Sequence, residues 1–210
     1  MNENVLADAL VESAWVTARI ATVLSLAIAV LGSAWAYVRA RAAREQAHDG
    51  QAAEPGSTLR ALAMIAAFLA GTGLAYATRG EATRWLPGLL QGFVAGTAAI
   101  AACAAAVLVV WSARTLGRSL AIRTFAPVRG ALVTTGPYAI VRHPFYVSIG
   151  MLLAAGGFAL ASLSGTALGL VLYGAAARWR AGLEDRALAR ALGPEFEEFR
   201  ERVPGFRPRI

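Results

Sequence analysis

The sequence has no lysine: all 20 of its basic residues are arginine, set against 13 acidic ones. It also has one cysteine and two histidines. A single cysteine excludes an intrachain disulfide framework and a thiolate metal site. Cys103, in the middle of an alanine-rich apolar run, reads as a small, buried, structural residue. Charge of either sign is scarce, at 16% of residues, while 57% are hydrophobic and the mean hydropathy is +0.53. That balance excludes an ordinary soluble domain and predicts an integral membrane protein. The net charge of +7 needs no nucleic acid to explain it, since no basic stretch is interleaved with aromatics and arginines collect beside membrane spans. Arginine without lysine, among abundant alanine, glycine and leucine, fits a GC-rich bacterial genome, so the expected location is a bacterial inner membrane. The first dozen residues carry Glu3, Asp8 and Glu12 and no basic residue, the reverse of a secretory signal peptide, and no cleavage is expected.

What the chain does have is long apolar runs. Trp15 to Val38, Leu59 to Thr78, Gln91 to Trp111, Pro144 to Ala161 and Thr166 to Ala177 predict an all-α, integral membrane helical bundle of about five transmembrane helices, followed by cytoplasmic amphipathic helices. Trp15, Trp35 and Tyr37 suit interfacial anchors, and Arg19 can snorkel. Four arginines fall in the first inner loop or at its edge (Arg39, Arg41, Arg44 and Arg60), five in the second and eight in the tail, against two in the outer loops. The positive-inside rule then places the N-terminus outside and the C-terminal half of the chain on the cytoplasmic face. Gly88, Gly92 and Gly96 recur every four residues and mark a helix-packing face, which also offers a homo-oligomer contact. Gly71-Thr-Gly73 lacks the strand, third glycine and acidic partner of a nucleotide loop and reads as helix packing. His48 reads as a solvated residue of the first linker.

Two polar clusters stand out. Tyr138, Arg142, His143 and Tyr146 surround the start of the fourth span, where Pro144 suits a first helical turn. Arg180, Glu184 and Asp185 lie just past the fifth span, with Arg180 and Glu184 one turn apart on one helix face. The turn Ser162-Leu-Ser-Gly165 is short enough to make the two helices antiparallel neighbours, so the clusters should meet on one membrane face. Between Ser112 and Arg142, arginines alternate with apolar residues and with glycine or proline breaks, as in an ordered segment lying on the cytoplasmic surface. In the tail, Leu188, Leu192, Phe196, Phe199 and Val203 form an apolar stripe, interrupted by a helix break at Gly193-Pro194. Such a stripe suits a helix lying at the headgroup level or one that closes over a cytoplasmic pocket.

Three motifs in order carry a resemblance. Gly136-Pro-Tyr with Arg142-His-Pro-x-Tyr146, then Arg180-x-x-x-Glu184-Asp185-x-x-Leu188, then Gly193-x-x-Phe-x-x-Phe with Val203-Pro and Pro208, resemble the isoprenylcysteine carboxyl methyltransferase and phospholipid methyltransferase family. The resemblance covers roughly residues 111–210, the expected methyltransferase core, and leaves 1–110 as three N-terminal spans. It departs in having Asp185 for glutamate, Phe196 and Phe199 for tyrosines, and Ser148 for glycine. It implies an enzyme using S-adenosylmethionine, held between the last two spans and the C-terminal helices. By motif position, Tyr138, Arg142, His143, Tyr146 and Glu184 would contact the cofactor or shape its wall, and transfer would depend on Arg180 and Glu184. No metal is implied. The acceptor would be a lipophilic small molecule or lipid bearing a carboxylate, amine or thiol, approached from the membrane lipids. The competing classes are an NADPH-dependent membrane reductase of sterol-reductase type and a non-enzymatic scaffold subunit.

Overall fold

Small residues at helical spacing let helix backbones approach closely, and the large side chains that cannot fit between them turn outward. That division organises this molecule. The computed structural model describes residues 3–46, 57–116 and 132–207. All regular structure among them is helical: α1 (Glu3–Gln46), α2 (Ser57–Ala77), α3 (Glu81–Trp85), α4 (Gly88–Leu116), a single 3₁₀ turn (Gly136–Ala139), α5 (Pro144–Ala159), α6 (Ser164–Leu192) and α7 (Pro194–Arg202). Helix α1 packs along α4, α4 along α5, and α2 along α6, while α5 and α6 also touch across their connecting turn.

The core is built largely of alanine. Ala18, Ala82, Ala95, Ala98, Ala159 and Ala161 surround Trp15, which at 6% exposure is a core residue rather than the expected interfacial anchor. Outside stand Ile20, Leu24, Ile28, Phe93, Ile100, Val107 and Val171, all exposed. Cys103 is exposed on α4, which corrects the expectation of a buried position. Among the described residues α4 is the one helix long and apolar enough to cross a membrane; α5 is apolar but has 16 residues.

Two helices run further than the apolar runs implied. Helix α1 continues through Arg39, Arg41 and Arg44 to Gln46, and α6 continues past Ala177 to Leu192. The second extension matters more, because Arg180, Glu184 and Asp185 are thereby fixed on the same rigid element as the apolar half of α6. His48 and the arginines Arg118, Arg123 and Arg129 lie outside the described residues.

Of the expected glycine face of α4, Gly88 alone meets another helix: a Cβ there would stand 3.8 Å, ordinary contact, from Val11 Cγ2 on α1. Nothing within 4 Å would obstruct a Cβ at Gly92 or Gly96. The close approach is between α2 and α6, where a Cβ on Gly169 would stand 2.8 Å from the Cα of Gly71. Gly71 therefore does serve helix packing, as expected.

At the end of the bundle holding the α5–α6 turn, Ala82 N–H donates to Ala161 O (2.8 Å) and Gly80 N–H to Leu160 O (2.9 Å). Glu81 Oε2 accepts from the backbone N–H and the hydroxyl of Ser164 (2.9 and 2.7 Å), satisfying a donor at the start of α6. Those two hydrogen bonds hold the Glu81 carboxyl below its ordinary range. At the other end Gly193, with φ 59°, ends α6, and Pro194 opens α7. Phe196, Phe199 and Val203 then pack with Leu132, Leu188, Ala189 and Leu192. The apolar stripe of the tail is buried within the protein, not laid on a headgroup layer.

Candidate active site at the mouth of α5 and α6

Pro144 fixes the first turn of α5 and leaves His143 as its N-cap, with the 3₁₀ turn just before it. That turn is seated on the end of α4: Gly136 has φ 58°, and a Cβ there would stand 2.9 Å from Thr115 Oγ1 and 3.1 Å from Trp111 Nε1. Only glycine combines this conformation with this clearance. Tyr138 is buried in the turn, on the α4 side of the site.

The α5 and α6 clusters do meet. Tyr146 Oη donates to Glu184 Oε1. Arg180 Nε donates to Tyr146 Oη at 2.7 Å and to Glu184 Oε1 at 3.2 Å. His143 Nε2 is 3.0 Å from Asp185 Oδ1, and its Nδ1 is 3.8 Å from Glu184 Oε2. Arg142 Nη2 donates to Asp185 Oδ2 at 2.8 Å. Six of the seven residues of the two clusters singled out from the sequence, Arg142, His143, Tyr146, Arg180, Glu184 and Asp185, thus form one network, and Tyr138 lies in the turn beside it.

Burial works against the charge on both Asp185 and Arg180, and their partners outweigh it. Hydrogen bonds from His143 and Arg142 hold Asp185 below the usual carboxylate range. For Arg180, Tyr146 and Glu184 more than offset burial and strengthen its hold on its proton. The network therefore contains fixed charges, an ionised carboxylate at Asp185 and a guanidinium at Arg180. Two donors of the network are left over: Arg142 Nε and Arg180 Nη1 are buried and have no hydrogen-bond partner among the described residues, and Arg180 Nη1 is the one on the guanidinium that also holds Glu184. An unmatched guanidinium N–H beside a carboxylate is suited to a ligand that carries its own carboxylate.

The network also holds the tail. Arg142 Nη1 donates to Val203 O and, at 3.1 Å, to Arg200 O, closing the last carbonyls of α7. Arg142 N–H donates to Pro204 O (2.8 Å) and His143 N–H to Gly205 O (3.1 Å). Phe206 is thereby laid against the His143 ring, with centroids 5.5 Å apart, and the Arg178 guanidinium lies 6.0 Å from the Phe206 ring centre.

Residues 93–195 match the family model described as phospholipid methyltransferase. Over these residues the chain belongs to the phospholipid methyltransferase family. Two curated relatives match a shorter stretch. The cobalt-zinc-cadmium resistance protein CzcN of Cupriavidus metallidurans is 46% identical over 83 residues, 38% of this chain and 36% of the relative. The nickel-cobalt-cadmium resistance protein NccN of Alcaligenes xylosoxydans xylosoxydans is 38% identical over 84 residues, 38% of this chain and 37% of the relative. The match spans little more than a third of the length of each.

The phospholipid methyltransferase segment begins inside α4, earlier than the resemblance placed it, and contains Tyr138 and the whole network from Arg142 to Asp185. The strap from Val203 to Phe206 lies beyond its end. Two contributors escaped the reading of the sequence. Phe206 belongs to a segment with no periodicity, and only the Pro204-Gly205 turn signal marks it. Tyr173, whose hydroxyl donates to Tyr146 O at 3.0 Å, was legible in principle: Tyr173, Ala177, Arg180 and Glu184 follow at helical steps on one face.

Proposed function

We propose that this chain is an integral membrane methyltransferase that takes S-adenosylmethionine as donor and methylates a lipophilic acceptor carrying a carboxylate, amine or thiol. It crosses the membrane five times, with the N-terminus outside and the site on the cytoplasmic face. Family membership supports the reaction class, and the alanine core with large apolar side chains outside supports the membrane setting. The observation that carries the reading is the unmatched Arg180 Nη1 beside Glu184, at the mouth of two apolar helices.

The residues fit the donor's two charges. S-adenosylmethionine, when bound, supplies a methyl group on a sulfonium for in-line displacement by the acceptor. Glu184 suits pairing with an ammonium, and Arg180 Nη1 suits donating to a carboxylate. Tyr146 holds these two side chains in register through its hydroxyl. Asp185 orients His143 and Arg142, and Arg142 holds the strap that carries Phe206 over the His143 ring and keeps water out. Aligning two reactants in this way contributes ~7–11 kcal/mol to such a reaction.

Calorimetry on the protein in lipid nanodiscs tests the reading: S-adenosylmethionine should bind at micromolar concentration and NADPH should not. No donor binding, or binding of NADPH instead, overturns it. Glu184→Gln should lower methyl transfer at least 100-fold, whereas a scaffold subunit would have no such activity to lose. The relatives' names favour one addition, a physiological role in resistance to divalent metal ions. That role predicts that cells carrying Glu184→Gln tolerate cobalt, zinc or cadmium no better than cells without the protein.

A further inference from the structure

Helices α2 and α6 touch backbone to backbone at Gly71 and Gly169, and toward the site their facing residues become large. Phe68 and Met64 lie about one and two turns along α2 from Gly71 and share its face. Both are partly buried against the cluster of Tyr146, Leu153, Tyr173, Ala177 and Ala181. Their neighbours Ile65 and Leu69 point away and are 53% and 62% exposed. Tyr146 belongs to both environments: its ring lies in this apolar cluster and its hydroxyl on Glu184. Helix α2 lies outside the family segment 93–195.

We propose that Met64 and Phe68 form the wall along which the apolar chain of the methyl acceptor lies, so that α2 sets which acceptors the site takes. The inference rests on the methyltransferase reading. An acceptor whose reacting head reaches Arg180 and Glu184 must lay its chain on the apolar surface that begins at Tyr146. The α4 side of α5 is closed, since Ala105, Val109 and Leu152 are buried there. The strap side is occupied by Phe206 and Arg178. What remains is the α2 side, where the filler is a methionine, with three rotatable bonds, and one phenylalanine ring; such a filling can yield to a chain. This route also has an end. A Cβ at Gly71 would stand 3.0 Å from Leu153 Cδ2 and 3.1 Å from Gly169 Cα, so the three helices leave no passage beyond that crossing. From Ala177 to Gly169 is about 12 Å of helix.

The probe is a ten-carbon chain bearing a mid-chain diazirine and a carboxylate, amine or thiol head, photolysed with the full chain in phosphatidylcholine nanodiscs. Saturable labelling of Met64 or Phe68, reduced at least fivefold by excess unlabelled chain, is the expected result. Labelling confined to Ile65 and Leu69, or labelling that does not saturate, is ordinary lipid contact and overturns the proposal. Donor binding is measured on the same sample. Donor binding with labelling only at Ile65 and Leu69 leaves the methyltransferase standing and removes the wall. Saturable labelling of Met64 without donor binding overturns the wall's role in methyl transfer together with the methyltransferase reading. As a second readout, Met64→Ala and Phe68→Ala should change acceptor KM at least fivefold across a chain-length series and leave donor affinity within twofold. A uniform fall in kcat at unchanged chain-length preference overturns the assignment.

Discussion

Tyr146 joins a cation and an anion through one oxygen, which accepts from Arg180 and donates to Glu184. Tyr146→Phe keeps the ring on His143, to which it stacks with centroids 5.7 Å apart, and removes only that oxygen. The loss is about 1–3 kcal/mol of positioning, so methyl transfer should fall about 5- to 150-fold while the helical circular dichroism is unchanged. An unaltered rate would mean that Arg180 and Glu184 need no bridge. Asp185 is a separate case, because its contribution is to stability. Its carboxyl is held below the ordinary range, so the stabilisation is fully present above the unfolded value of about 3.9 and is lost as pH falls through the lower folded value. Asp185→Asn should therefore lower Tm by several degrees at pH 7, and the gap to the wild type should close as pH is lowered below about 4. A gap that persists unchanged at acid pH would count against an ionised Asp185. The meeting of these side chains was legible because it follows from topology: a short α5–α6 turn brings two helix ends together. The strap was not, since Val203 to Phe206 is held by backbone carbonyls, which any residue supplies.

The helices themselves were legible wherever a local chemical signal marked them, as Pro144 marks the start of α5 and Gly193-Pro194 the break between α6 and α7. Their packing faces were not. Periodicity distinguishes apolar from polar faces, and a helix apolar all round has no such contrast to read. Spacing alone therefore favoured Gly88, Gly92 and Gly96 on α4, whereas the contact that fixes α2 on α6 uses one glycine from each helix. This gives a paired prediction. Gly169→Ala forces a methyl against the Gly71 backbone and should destabilise by about 1–3 kcal/mol. Gly92→Ala meets open space and gains helix propensity, up to about 1 kcal/mol, so it should be neutral or stabilising. Thermal unfolding of both variants in the same detergent checks this. If Gly92→Ala is instead the costlier change, the glycine face of α4 is occupied by a second copy of the chain, and the oligomeric state should fall with it.

For the molecule as a whole, the question is whether its outward apolar surface faces lipid, and α4 carries its own probe. Cys103 is the only cysteine of the chain, is exposed, and lies near the middle of the one membrane-capable helix among the described residues. A thiol reacts through its thiolate, and burial in hydrocarbon disfavours that charged form. If α4 spans the bilayer, Cys103 in intact membrane vesicles should resist a charged maleimide added to either side, and should become reactive when the protein is unfolded in detergent. Helix α1 makes the same test informative for the bundle. It has 44 residues, about 66 Å of helix against a hydrocarbon core of ~30 Å, and it packs along α4. Cysteines introduced singly at Leu6 and Ile20, both exposed, should therefore divide: Leu6, beyond the apolar run, should react with the charged reagent from one side of the membrane, while Ile20, within it, should not. Rapid modification of Cys103 in intact vesicles would mean that the alanine core is surrounded by water, and the five-span arrangement would fall with that result.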